Sequence, residues 1–131
     1  MVRWLAILAV VAHAVVAWFH GDAHRQLGVG LNDWQRVFVD VVILAAPVVA
    51  IVLVWTRFAR WGYLLLAAAM AGALAFGVYH HFIAISPDHV AHLPEGDAQM
   101  MFKTTAILLS VTEAFALGVG CWGWLGGRSR I

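Results

Sequence analysis

The chain has 131 residues, of which 63% are hydrophobic and 11% charged, with a net charge of +1. Soluble domains carry about 25% charged residues, so this surface does not lie mostly in water. Scattered basic residues and a charge near zero exclude a nucleic-acid partner, and the single cysteine, Cys121, excludes an intrachain disulfide and a CxxC metal clamp.

A helix needs about 20 mostly apolar residues to cross the hydrocarbon core of a membrane. The first qualifying stretch spans residues 4–20. A cleaved signal peptide is its competing reading, with Arg3 as the charged start and Ala12-His13-Ala14 or Val15-Val16-Ala17 as a weak cleavage site. The stretch ends in His20-Gly-Asp-Ala-His24. If the helix continues through His24, the two imidazoles share a face and can bind one ion, although Gly21 and Asp22 are expected to end it early. His13 lies seven residues before His20, on the same stripe and about 10 Å deeper.

The second stretch spans residues 34–55 and carries Asp40 about two turns in. Acids inside a membrane are costly and usually face the bundle interior or a partner. Asp40 is therefore expected to reach His20 or His80, as a metal ligand or as a group that orients one. Pro47 is expected to kink this helix and free a backbone carbonyl.

The third stretch, residues 61–82, ends in the adjacent pair His80-His81. Neighbours on a helix point about 100° apart, so one of the pair faces the bundle and the other its edge. A polar loop over residues 83–101 follows, containing Ser86-Pro87-Asp88-His89-Val90-Ala91-His92. Ser86 or Asp88 is placed to cap a short helix carrying His89 and His92. Met100 and Met101 offer thioether ligands for copper but read more simply as packing.

The fourth stretch, residues 102–125, carries Glu113 near its middle, at the depth of His13, and the two are expected to pair. Cys121 in this helix reads as a small packing residue. The third and fourth stretches have small residues four apart: Ala68/Gly72, Ala73/Gly77, Ala114/Gly118 and Gly123/Gly127. Such spacing lets helices approach closely in lipid, within the chain or in a homo-oligomer or larger membrane complex.

Short connections make the four helices alternate in direction. One end of the bundle then holds Arg3, Arg57, Arg60, Arg128 and Arg130 with no acid. The other holds Arg25, Arg36 and Lys103 against Asp22, Asp33, Asp88, Glu95 and Asp97. Short loops rich in Arg and Lys stay in the cytoplasm. The expected fold is therefore a single all-α integral membrane domain, a four-transmembrane-helix bundle with both termini inside. An inner, cytoplasmic membrane is expected, with the histidine-rich side outside.

Six of the seven histidines (His20, His24, His80, His81, His89 and His92) fall at that outer end. Imidazole and carboxylate ligands suit Zn, Cu, Ni, Mn or Fe, with Asp22, Asp40 and Asp88 as further ligands or as groups that orient them. The first functional reading is a membrane protein that binds a transition metal there, for metal handling or redox. The second is an accessory subunit without a cofactor. The third is a b-type haem protein whose single haem takes one histidine from each of two facing helices. The His-x4-Asp-His pattern of nickel and cobalt permeases is missing, because Ile83 stands where its first histidine would, and no Glu-x-x-His of di-iron bundles occurs. No serine or cysteine stands beside a base in a pattern that points to a nucleophilic enzyme.

Overall fold

In a computed structural model, residues 1–126 are described and form an all-helical arrangement. Gly127, Arg128 and Arg130 lie outside the described residues. Four helices are long and apolar enough to cross a membrane: α1 (Val2–Leu27), α2 (Asp33–Val54), α3 (Ala59–Ile83) and α4 (Asp97–Gly126).

The end of α1 corrects the expected early stop. The helix runs past Gly21 and Asp22 to Leu27, where Gly28 takes a φ of 65° and its amide and that of Val29 close the last turn on the carbonyls of Arg25 and His24. A glycine is the residue that enters this left-handed conformation without cost. Asp22 is tied on the surface to Arg25 at 2.8 Å and to Gln26 at 2.7 Å, three and four residues on, so it supports the helix and stays out of any site.

α2 opens on a capping box, in which Asn32 accepts from the Gln35 amide and Gln35 accepts from the Asn32 amide. Its middle, Val39–Ala45, is π-helical, and Pro47 follows directly. The last turn of α3, Tyr79–Ile83, is also π-helical, closed by Ala84 N to Tyr79 O at 2.7 Å. Insertions of this kind widen the turn and are frequent at functional sites.

α4 packs along both α1 and α3, and α2 packs chiefly on α3. The interior is built of small side chains. Ala6, Ala9, Ala50, Ala69, Ala73 and Ala116 are buried around Leu66, Met70 and Tyr63. Large apolar residues such as Trp4, Leu8, Trp18, Val48, Ile107 and Phe115 stand outside. A Cβ on Gly62 would lie 2.7 Å from Ala50 O and Val54 N, and one on Gly120 would lie 2.7 Å from Ala67 N. Backbone meets backbone at both points, which is how helices associate where no hydrophobic force joins them. Among the small-residue pairs, Ala114 and Gly118 are exposed on the outside of α4, and a Cβ on Gly118 would touch nothing.

Candidate metal centre

Three of the six histidines expected at the outer end converge. One ring nitrogen each from His20, His24 and His81 lies within 4.8 Å of the other two. His20 and His24 come from one face of α1, because the helix stays regular through both. His81 comes from the π-turn that ends α3. Phe102, fully buried at the start of α4, lies against all three rings, with centroids 4.5, 4.7 and 5.1 Å away.

The hydrogen-bond pattern assigns the tautomers. His81 Nδ1 lies 3.2 Å from the carbonyl of Asp88 and His24 Nδ1 lies 3.0 Å from the carbonyl of Val29. A carbonyl only accepts, so both Nδ1 atoms carry the proton. His20 Nδ1 lies 2.9 Å from Thr105 Oγ1, whose own hydroxyl donates to Met101 O at 2.7 Å. Thr105 therefore accepts, and His20 Nδ1 donates. Each ring is left with its Nε2 lone pair. Those of His20 and His81 face one another at 3.1 Å, two acceptors with no donor between them.

Tetrahedral zinc with Zn–N near 2.0–2.1 Å separates its nitrogens by about 3.3 Å. The His20–His81 spacing of 3.1 Å is close to that, and a ring nitrogen of His24 lies within 4.8 Å of both. The orienting contacts are also present. Ligating imidazoles usually donate their other N–H to a carbonyl or carboxylate, which fixes the ring. His24 and His81 donate to carbonyls and His20 to the Thr105 hydroxyl, and the Asp88 carboxylate stands 3.5 Å from His81 Nδ1 as well.

Asp88 reaches His81 because the loop folds back over the end of α3, with Val90 N on His81 O at 3.0 Å and the Ser86 hydroxyl on the Asp88 carboxylate. The short helix expected at His89 and His92 is not formed. That segment is a pair of turns, His89 N to Ser86 O and His92 N to His89 O. Without helical spacing these two rings meet at a tilt, centroids 4.8 Å apart, and stay apart from the three-histidine group. His80 points away from it too, into an aromatic wall with Phe76 and Trp34, its Nδ1 3.4 Å from the Gln35 amide nitrogen.

Asp40 is exposed on α2 and joins no group of ligands, although an interior position was expected. The hydropathy argument located its depth but not its azimuth, which the π-helical stretch resets. Thr105 and Phe102 escaped the sequence reading altogether. Their spacing of three at the start of an amphipathic α4 was the available signal, but the helix begins five residues before the predicted 102.

Deeper in the bundle, His13 and Glu113 are buried, 1% and 2% exposed. Their closest approach, Nδ1 to Oε1, is 3.9 Å, too long for a hydrogen bond. His13 Nε2 donates instead to Ile43 O at 3.3 Å, the carbonyl whose regular helical donor would be the nitrogen of Pro47.

A haem held by His20 and His81 would need its plane to pass between nitrogens that stand 3.1 Å apart, with His24 and Phe102 packed alongside. No protein-family model matches this chain, and no curated protein or solved structure matches it significantly.

Proposed function

We propose that the chain is an integral membrane protein that binds one transition-metal ion through Nε2 of His20, His24 and His81. The observation that carries this reading is the pair of facing lone pairs on His20 and His81, 3.1 Å apart, each fixed by a donated Nδ1–H. Three neutral imidazoles without a thiolate suit Zn(II), Ni(II) or Cu(II) ahead of the harder ions. Three protein ligands leave a fourth position, which faces the cavity that these histidines line. An open position supports metal transfer or metal-assisted chemistry more than a purely structural ion.

The charge distribution supports a topology with both termini in the cytoplasm and the metal centre at the outer end of an inner membrane. Arg3 lies over the Trp55 ring and Arg60 over the Trp124 ring at the inner end, where interfacial tryptophans anchor helices. A second reading, an accessory subunit, is favoured by one observation. The exposed Ala114/Gly118 groove of α4 is open to another small-residue helix.

Elemental analysis of protein purified in mild detergent without chelator tests the first reading. Near-stoichiometric Zn, Ni or Cu is the expected result. Protein that stays metal-free after supplementation would overturn it and move the assignment to an accessory subunit.

A further inference from the structure

Beside the three imidazoles, which line part of its wall, the four helices form a partly open cavity of about 260 Å³. A cavity of ~150 Å³ is enough to take up benzene. Its walls are apolar, with Val39, Ile43 and Leu44 from α2, Phe76 from α3 and Leu109 from α4. At its inner end stands the Glu113 carboxylate, beside Gly77, one helical turn before His81.

The polar groups around this carboxylate are all acceptors. Glu113 makes no hydrogen bond to any described residue, and His13 at 3.9 Å is its one charged or titratable neighbour within ion-pair distance. His13 uses its Nε2–H on Ile43 O, so its Nδ1 is a lone pair. That nitrogen is the one buried side-chain polar atom without a hydrogen-bond partner among the described residues. Ser110, also in the wall, donates its hydroxyl to Ala106 O at 3.1 Å and so offers only lone pairs to the cavity. Buried acceptors left without donors are costly, and apart from a proton on Glu113 itself the arrangement has no donor among the described residues.

We propose that this cavity is a binding site for a small organic cation, a roughly benzene-sized apolar body carrying a primary ammonium. The body fills the apolar chamber, and the ammonium sits on Glu113. Three N–H donors and no acceptor are what an ammonium presents, matching a carboxylate that shares the cavity wall with Ser110 Oγ. A neutral molecule of the same shape leaves the carboxylate unmatched. The cavity is shared with the three imidazoles, which also line it, but Glu113 makes no bond to His20, His24 or His81.

The test is calorimetric titration of the detergent-purified full chain with benzylamine, benzyl alcohol and toluene, in chelator-treated and metal-loaded samples. Chelation removes the chance that the amine merely coordinates an ion. Saturable benzylamine binding is expected in both samples, at least tenfold tighter than benzyl alcohol or toluene, and weakened at least tenfold by Glu113→Gln. A second variant, Leu109→Trp, fills the chamber without touching the carboxylate and should abolish binding of all three probes. Absence of saturable benzylamine binding would overturn the proposal. So would equal affinity in the Glu113→Gln protein, or toluene binding as tightly as the amine, which would leave an apolar void only. Should Glu113→Gln fail to fold, the ranking of the three probes and the Leu109→Trp result decide the matter.

Discussion

His20 Nε2 and His81 Nε2 stand 3.1 Å apart, and neither has a proton to offer the other. In neutral surroundings such a pair repels. A cation between them removes the repulsion and takes advantage of rings already held in place by Thr105, Asp88 and Val29.

Single substitutions should divide the histidines sharply. His20→Ala and His81→Ala are each expected to abolish stoichiometric metal, and His24→Ala to lower affinity at least tenfold. His80→Ala, His89→Ala and His92→Ala should leave metal content within error of the unsubstituted chain. Metal retained by both His20→Ala and His81→Ala would sink the proposed centre.

Thr105 is a positioning residue with a chemical signature. Thr105→Val keeps the shape but removes the acceptor that orients His20, so metal affinity should fall about 10–100-fold. Thr105→Ser should restore it. A competition titration against a chromogenic chelator reads both, and a uniform loss in the two variants would point to packing instead.

Protons compete with the metal for the same three lone pairs. Metal binding therefore weakens as pH falls and the imidazoles become protonated, and it strengthens again on return to neutral pH. Equilibrium dialysis at neutral pH and after strong acidification should show metal held at the first and lost at the second. Metal retained in strong acid would argue that imidazole is not the ligand.

The close backbone crossings should not tolerate a side chain. Gly120→Ala places a Cβ against the Ala67 backbone, and overpacking of this kind costs about 1–3 kcal/mol. Gly118→Ala, on the open face of α4, should cost little. Thermal unfolding monitored by size-exclusion in detergent should separate the two.

Membrane topology is accessible through the one native thiol. In a Cys121→Ser background, an impermeant thiol reagent applied to intact cells should label Pro94→Cys and spare Thr56→Cys. The reverse pattern would invert the bundle and put the metal centre inside.

Much of the helix count was legible, because each stretch of apolar residues is long enough to leave no competing element. His20 and His24 could be paired from their spacing alone. The choice between His80 and His81 could not be made, since a π-turn decides it and no local residue pattern announces one. Asp40 misled because depth along a helix does not say which way a side chain faces, and it stands exposed in the π-helical run. Asp88 was in view, but its approach to His81 depends on a loop folding back through turns whose spacing resembled a short helix.

Pro47 carries a consequence for biogenesis. The carbonyl it deprives of a regular donor, that of Ile43, receives its side-chain hydrogen bond from His13 of the preceding helix. In a bilayer no water is on hand to stand in. The second span thus reaches its final hydrogen-bonded state only against the first, which is the order in which a ribosome delivers them. A chain whose opening helix were grafted away would present the insertion machinery with an unfinished segment.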